Sequence, residues 1–248
     1  MTSDPILIGS EQRTTAIPYA AHKPVDATLV LAHGAGAGQQ SAFMVGFARG
    51  LAARGIDVLT FNFFYTEQRR RVPDRTDKLE ACYRSAIAAA REHFARSAVF
   101  IGGKSMGGRI ATHLAAAAGE SGVDRIPNPA LRRAQGVPSL SRDESRIPIS
   151  GVVLLGYPLH PPGKPEQLRA THLPKIRVPM LFVQGERDPF GTPAELRPIL
   201  ESLSADVTLH VVEHGDHSLA PSRRADSIAS TYRELQDVIA SWIRRHSK

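Results

Sequence analysis

The sequence predicts an α/β fold, with a mostly parallel central sheet of about eight strands and helices on both faces. Two observations predict this class. Short β-branched or leucine-rich segments alternate with longer segments of helical period, which is the pattern of a parallel sheet covered by helices. Hydrophobic residues make up 42% of the 248 residues. This fraction is enough for a core, because a chain of about 250 residues buries about 75% of its unfolded surface.

Eight segments have the length and composition of strands. They lie at residues 6–9, 14–18, 28–32, 56–61, 98–101, 151–155, 180–184 and 207–212. The first two have no helix between them, so we predict that they pair as an antiparallel hairpin at one edge of the sheet.

Five segments have the apolar periodicity of helices. They lie at residues 41–54, 77–95, 106–118, 193–203 and 225–245. Gly55 directly follows the first helix, as is common at helix ends. Asp74 or Thr76 can cap the second helix, and Pro193 suits the first turn of the fourth.

Residues 119–150 depart from this alternation. They contain four prolines and mixed charges without a sustained period, so we predict a surface insertion rather than a second domain. Because α/β folds of this length often form one domain, we predict a single domain over residues 1–248 that carries this insertion.

The charge balance is positive, with 31 Lys and Arg residues against 24 Asp and Glu residues and a net charge of +7. Such a balance attracts nucleic acid or acidic lipid without specificity. The arginine run at 69–71, joined by Arg75 and Lys78, has no interleaved aromatic side chains on which bases could stack. We interpret it as a solvated face and expect no specific nucleic-acid partner, with a nucleic-acid binder as the alternative.

The sequence also leads to an expectation for the cellular compartment of the protein. No stretch approaches the roughly 18 consecutive apolar residues that a membrane helix needs, and the first ten residues lack the features of a signal peptide. Cys82 is the single cysteine, so no disulfide forms within the chain, which favours a reducing compartment. We expect a cytoplasmic protein with no membrane partner, and the sequence leaves its oligomeric state open.

A G-x-S-x-G motif, GKSMG at residues 103–107, joins a predicted strand to a predicted helix. In such an elbow the glycines remove side-chain clashes, so the serine is held in a strained conformation with its hydroxyl above the sheet. The N–H groups that begin the following helix face any oxyanion formed there. Ser105 is therefore the predicted nucleophile. The alternative is that the glycines only let the helix pack closely.

A serine hydroxyl is a poor nucleophile at neutral pH, so a base and an orienting acid must converge on it. With a nucleophile elbow, the acid follows a later strand and the histidine lies in the loop after the last strand. Asp188 follows the predicted strand at 180–184, and His217 follows the one at 207–212. Since ligands bind at the carboxyl ends of parallel strands, we predict Ser105, Asp188 and His217 as the catalytic residues.

Each predicted partner of the serine has a rival close by. Glu186 could supply the acid, but it directly follows its strand, whereas Asp188 lies in a turn with more reach. His214 could supply the base, but His217 is carried farther from its strand by Gly215. We favour Asp188 and His217 on these grounds.

A second oxyanion donor is expected in the loop after the third predicted strand, where the sequence reads HGAGAG at residues 33–38. Its small residues let backbone N–H groups approach a substrate. We predict that the N–H groups of Ala35 and Met106 form the oxyanion hole. The alternative, a G-x-G-x-x-G dinucleotide loop, requires glycine where the chain has Gln39 or Ser41.

Five blocks of the sequence occur together. They are LAHGAGAG at 31–38, RRRVPDR at 69–75, GGKSMGGR at 102–109, GYPLHPPGKPE at 156–166 and PMLFVQGERDPFG at 179–191. Together they resemble the α/β-hydrolase superfamily over about residues 25–245, and more narrowly its dienelactone-hydrolase-like branch. That branch includes small bacterial proteins related to a subunit of the animal NSL chromatin complex. Dienelactone hydrolases use cysteine at the elbow position that Ser105 occupies here.

The resemblance implies an α/β-hydrolase fold with a Ser-Asp-His triad. Only residues 156–179 separate the sixth predicted strand from the seventh, so we predict no large lid domain. The chemistry predicted is that of a serine hydrolase that cleaves a small-molecule carboxylic ester or thioester through an acyl-enzyme, with no metal or organic cofactor. Because the branch includes members proposed to act as scaffolds, a non-catalytic interaction scaffold is the alternative.

The same topology gives expectations for residues around the nucleophile. We expect Tyr65, Leu159 and His160 to line the mouth of the site, with plain loop packing as the alternative. Lys104 is expected to be buried beside the nucleophile and to need an anionic partner, for which Glu67 is the predicted residue.

Overall fold

All eight predicted strands are present in the computed structural model, which describes residues 4–9, 12–120, 125–127 and 146–247. The strands within these ranges are β1 (Ile6–Ile8), β2 (Thr14–Tyr19), β3 (Ala27–Ala32), β4 (Asp57–Phe61), β5 (Ala98–Lys104), β6 (Arg125–Pro127), β7 (Arg146–Pro148), β8 (Gly151–Leu155), β9 (Met180–Gly185) and β10 (Val207–Val212). Eight of them form one sheet in the order β1-β2-β4-β3-β5-β8-β9-β10. The predicted sheet is therefore confirmed.

The strand directions also agree with the prediction. β1 pairs antiparallel with β2 at the edge of the sheet, and β2 pairs antiparallel with β4. The pairs from β4 through β3, β5, β8 and β9 to β10 are parallel. The mostly parallel sheet and its edge hairpin are thus both confirmed.

The described helices follow the predicted ones to within a few residues. They are α1 (Ala42–Ala53), α2 (Phe64–Glu67), α3 (Thr76–Phe94), α4 (Met106–Glu120), α5 (Pro193–Glu201) and α6 (Ala225–His246). The one-turn α2 and a 3₁₀ turn at Leu173–Lys175 were not predicted. None of the described helices has the length and the apolar composition needed to cross a membrane.

The capping predictions have a mixed outcome. Gly55 follows α1 with a φ of 88°, and Pro193 occupies the first turn of α5. The predicted cap of α3 is wrong, because its N-cap is Arg75 and no side chain caps it. Asp74 instead accepts a hydrogen bond of 2.6 Å from Arg70, so the carboxylate closes the preceding turn.

Apolar side chains cover both faces of the sheet. One cluster contains Phe47 of α1 and Trp242 of α6, and the other contains Tyr83, Ile110 and Leu196 of α3, α4 and α5. β3 is buried along its whole length, as expected for a parallel strand covered on both faces.

The strand register brings four loops together at one edge of the sheet. Ala32 at the end of β3 lies beside Gly103 of β5, and Val212 at the end of β10 lies beside Gly185 of β9. Because parallel strands end at the same edge, the loops that follow β3, β5, β9 and β10 are neighbours. These are the loops that carry the predicted site.

The predicted insertion at 119–150 lies largely outside the described residues. Its described part includes the last residues of α4 and the strands β6 and β7. These two strands pair antiparallel as a separate two-stranded sheet. No large lid domain stands between β8 and β9, where the chain forms loops and the 3₁₀ turn.

Candidate active site

Ser105 lies at a sharp turn between β5 and α4. Its φ is 51°, a left-handed conformation that is unusual for a residue with a side chain. Its N–H donates a 3.0 Å hydrogen bond to the carbonyl of Leu155 in β8. A Cβ on either Gly103 or Gly107 would lie 2.6 Å from the carbonyl oxygen of Ala32. The two glycines therefore let β3 approach the elbow closely enough to hold the strained serine.

Gly107→Ala is expected to destabilise the fold. Its new Cβ would also lie 2.6 Å from the carbonyl oxygen of His33, and backbone atoms cannot move aside as a side chain can. We expect the free energy of unfolding, measured by urea denaturation, to fall by about 3 kcal/mol. The matched control is Gly46→Ala in α1, where a Cβ would meet no atom within 4 Å. That variant should gain about 0.5–1 kcal/mol, and an equal loss in both variants would contradict the explanation.

Three side chains that are distant in the sequence meet at this elbow. The Nε2 atom of His217 lies 2.9 Å from the Oγ atom of Ser105. Its Nδ1 atom lies 2.8 Å and 3.0 Å from the two carboxylate oxygens of Asp188. This network assigns the tautomer in which Nδ1–H donates to Asp188 and Nε2 accepts the serine hydroxyl proton. The structure thus brings together the three residues that the sequence predicted.

Asp188 is fully buried and is held by two further hydrogen bonds. The Nε2 group of Gln184 donates to it at 3.0 Å, and the N–H of Phe190 donates at 2.9 Å. The Phe190 ring also packs against the imidazole of His217, with ring centroids 4.2 Å apart. These hydrogen bonds hold the carboxylate in the position from which it accepts Nδ1–H of His217.

The rival residues Glu186 and His214 contact each other instead of the serine. The N–H of His214 donates to Glu186 at 2.7 Å, and the His214 ring nitrogen lies 3.2 Å from the same carboxylate oxygen. Their side chains are 49% and 72% exposed. Glu186 directly follows β9, and His214 lies two residues after the end of β10. Both residues stay near their strand ends, whereas the longer reach of Asp188 and His217 brings these two to Ser105.

The N–H groups of Ala35 and Met106 are free to bind an oxyanion. Met106 is the first residue of α4, where N–H groups have no partner within the helix. In the described part of the chain, neither N–H donates to a protein acceptor. Both residues line the same cavity as Ser105, which is the arrangement that an oxyanion hole requires.

The loop that contains Ala35 is held from behind by two buried side chains. The hydroxyl of Tyr65 donates to the carbonyl of Ala35 at 2.9 Å. His33 lies 2.8 Å from the carbonyl of Gly34 through Nδ1 and accepts the N–H of Phe63 at 3.1 Å through Nε2. Burial lowers the pKa of His33 to about 4, so the ring is neutral at pH 7 and can make both bonds.

The neutral His33 should make stability depend on pH. Its pKa is about 4 in the folded protein against an ordinary 6.5, so the unfolded chain binds the proton first as the pH falls. Between pH 7 and pH 4.5 the free energy of unfolding should therefore drop by about 2 kcal/mol through this residue. Urea denaturation at the two pH values should give a correspondingly smaller drop for His33→Asn. The control variant His22→Asn, at an exposed position, should show the same drop in the free energy of unfolding as the wild type. If His33→Asn also showed the full wild-type drop, this role of His33 would be excluded.

A cavity of about 660 Å³ opens above Ser105. Tyr65, Leu159 and His160 do not line it, so that prediction is wrong. Tyr65 lies behind the loop that contains Ala35, and Leu159 and His160 are buried. The chain turns inward after Pro158, which does face the cavity. His160 contacts Glu195 at 3.2 Å instead, so these side chains support the loops around the site.

Lys104 is partly buried beside Ser105 and His217, but its predicted partner is wrong. Its Nζ donates a 2.5 Å hydrogen bond to the carbonyl of His217. Burial lowers the pKa of Lys104 to about 8, although the Asp188 charge opposes this shift. Glu67 instead accepts a 2.8 Å hydrogen bond from Asn62. The lysine therefore satisfies its charge with a backbone carbonyl of the histidine loop.

A family model described as an alpha/beta hydrolase domain matches residues 25–244. The chain belongs to the α/β-hydrolase family. The resemblance at the level of this superfamily is confirmed, whereas the relation to the NSL subunit stays a prediction.

Solved structures of α/β hydrolases share this fold at low sequence identity. An α/β serine hydrolase homologue from Coxiella burnetii is 15% identical, with a TM-score of 0.69 and 97% of each chain covered. An α/β serine hydrolase without a lid from Xanthomonas campestris is 16% identical, with a TM-score of 0.67 and with 98% of this chain and 94% of that chain covered. A dienelactone hydrolase from Anabaena variabilis is 17% identical, with a TM-score of 0.66 and coverage of 99% and 98%.

Several residues at the site of this α/β hydrolase were not predicted. Gln184 is a buried polar residue in an apolar strand, and that contrast is a signal the sequence offers. Arg109 follows Ser105 by one helical turn and lines the cavity together with Arg169. The spacing of Arg109 from Ser105 could have been noticed, but nothing local marks Arg169, because its loop folds back from a distant part of the chain.

Proposed function

We propose that this α/β hydrolase cleaves carboxylic ester or thioester bonds, with Ser105 as the nucleophile. The observation that carries the proposal is the pair of contacts made by His217, at 2.9 Å to the serine Oγ and at 2.8 Å to the Asp188 carboxylate. A hydroxyl hydrogen-bonded to a base that is itself oriented by a carboxylate is the arrangement that acyl transfer through an acyl-enzyme requires.

The first half of the reaction forms the acyl-enzyme. Nε2 of His217 removes the hydroxyl proton as Oγ of Ser105 attacks the substrate carbonyl carbon. The carbonyl oxygen becomes an oxyanion and accepts hydrogen bonds from the N–H groups of Ala35 and Met106. Asp188 stabilises the imidazolium formed in this step. The tetrahedral intermediate then breaks its bond to the alcohol or thiol, which leaves with the proton from His217.

The second half releases the acid. A water molecule gives a proton to Nε2 of His217 and attacks the acyl carbon, and the same two N–H groups bind the new oxyanion. Collapse of this intermediate breaks the bond to Oγ of Ser105, which takes back the proton. The enzyme then returns to its starting state.

The shape of the site supports substrates of modest size. The cavity has about 660 Å³ and an apolar lining that includes Phe43, Met44, Leu79 and Tyr232. This volume lies in the range of small-molecule sites. The short connection between β8 and β9 leaves the cavity open to solvent, which favours small esters and thioesters over long-chain lipids.

Covalent labelling tests the proposal. A fluorophosphonate probe should label the wild-type protein, and a panel of 4-nitrophenyl esters of increasing chain length should be hydrolysed with a preference for short chains. Labelling and hydrolysis should disappear in Ser105→Ala, whereas Ser85→Ala, at a half-buried position on α3, should behave as the wild type. Folded protein that is neither labelled nor active would instead favour the non-catalytic scaffold.

A further inference from the structure

The cavity is lined by cations without matching anions. Lys104, Arg109 and Arg169 face it, and its described lining contains no aspartate or glutamate. Lys104 is engaged by the carbonyl of His217. Among the described residues, neither of the two guanidinium groups donates a hydrogen bond or forms an ion pair. Arg54, by contrast, pairs with a carboxylate at 2.6 Å.

The two arginines line the same cavity as Ser105. Arg109 lies one helical turn after Ser105, and its N–H donates to the Ser105 carbonyl at 3.0 Å. Residues four apart occupy the same side of a helix. Arg169 lies on the connection between β8 and β9, and its carbonyl accepts a 2.6 Å hydrogen bond from the Tyr157 hydroxyl. That partly buried contact holds the backbone of Arg169, which lines the cavity.

The two like charges are close enough to affect each other. Burial and then the charge of Arg169 lower the pKa of Arg109. Both side chains are partly buried, so water compensates this repulsion less than it would at the surface. An anionic oxygen group between them would remove the repulsion and would accept charge-assisted hydrogen bonds from both guanidinium groups.

We propose that Arg109 and Arg169 form an anion subsite and that the enzyme prefers substrates with a negatively charged oxygen group in addition to the scissile ester or thioester. This inference rests on the proposed function and names its substrate class. A guanidinium group binds carboxylate and phosphate oxygens alike, so the shared chemistry is an anionic oxygen. The apolar part of the lining accommodates the body of the substrate.

Matched esters test the preference. Three pairs each compare an anionic ester with its methyl-capped neutral form: 4-nitrophenyl hemiadipate, 4-acetoxybenzoate and 4-acetoxyphenyl phosphate. The first carries a carboxylate on the acyl side, the second a carboxylate on the alcohol side, and the third a phosphate on the alcohol side. The pair with the largest ratio of kcat/KM, anionic over neutral, identifies the group and the side that the subsite binds.

For the pair of esters with the largest ratio, the wild-type kcat/KM of the anionic ester should exceed that of the neutral ester. This ratio should fall about 10- to 100-fold in Arg109→Gln and in Arg169→Gln, because each variant loses a charge-assisted hydrogen bond to the anionic group. The matched control is Arg197→Gln, on the exposed side of α5, which should keep the wild-type ratio. A wild-type ratio of one or less in all three pairs would overturn the subsite, as would a ratio that neither cavity variant changes.

Binding to Ser105→Ala separates this inference from the proposed function. Calorimetry on this variant measures binding of the uncleaved esters. Tighter binding of an anionic ester than of its capped form, weakened by salt and by Arg109→Gln, supports the subsite even if the wild type cleaves neither ester. Equal binding of both forms, together with wild-type cleavage of the neutral ester, overturns the subsite and leaves the proposed function standing.

Discussion

Replacement of His217 by alanine is expected to lower kcat for a 4-nitrophenyl ester about 10⁵- to 10⁶-fold. The Nε2 atom of His217 is 2.9 Å from Oγ of Ser105. Without this base the hydroxyl proton has no acceptor in the attack step, and the leaving alcohol has no proton donor. A small residual rate should remain from binding and from the oxyanion donors. Initial rates at saturating substrate measure the effect.

The matched control for this variant is His214→Ala. His214 lies three residues earlier in the same loop, but its ring contacts Glu186 at the surface. Its removal should change kcat by less than about twofold, because a contact between exposed side chains at the surface contributes little. Circular dichroism and urea denaturation check that both variants are folded. A folded His217→Ala variant with a rate near that of the wild type would exclude the proposed mechanism.

Asp188→Asn is expected to lower kcat about 10⁴-fold. The carboxylate accepts Nδ1–H of His217, which keeps Nε2 free to take the serine proton. Gln184 and Phe190 also donate to this side chain. The NH₂ group of an asparagine at this position would therefore face other donors, whereas the carboxylate only accepts. The imidazole would then be held in the wrong tautomer, and its protonated form would lose the stabilising negative charge. The rate loss should persist at saturating substrate.

The isosteric control for this variant is Glu186→Gln. Glu186 follows the same strand and was the rival acid, but among the described residues its carboxylate contacts His214 at the surface, from whose N–H it accepts a hydrogen bond. We expect kcat to stay within about twofold of the wild type. If Glu186→Gln caused the larger loss, the assignment of the acid would have to be reversed. Fluorophosphonate labelling should still be detectable but much slower in Asp188→Asn, since the nucleophile itself remains.

The secondary structure was predictable because its signals are local. Gly55 at the end of α1 and Pro193 at the start of α5 mark their boundaries through backbone preferences of single residues. The elbow at Ser105 was predictable for the same reason, since glycines flank a serine between a strand and a helix. The α3 cap was missed because Asp74 and Thr76 both have capping side chains, and the contact between Asp74 and Arg70 decides which turn the aspartate closes.

The grouping of the triad residues was also predictable, because chain order and strand order together fix which loops share an edge of the sheet. Asp188 and His217 each lie farther from the end of their strand than the rivals Glu186 and His214. This longer reach was the sequence criterion that favoured them. The side chains around the triad were less predictable. Leu159 was expected at the cavity, but its loop turns inward and buries it. A sequence pattern does not give the direction in which an irregular loop turns.

The sequence by itself determined the order of strands and helices, the nucleophile elbow and the loops that carry its partners, because these depend on backbone preferences and on the direction of parallel strands. Only the tertiary structure decided that Lys104 bonds to the carbonyl of His217 rather than to Glu67, and that Arg109 and Arg169 share one cavity. Such contacts depend on where separate loops pack against one another, and long side chains reach partners that no local pattern encodes.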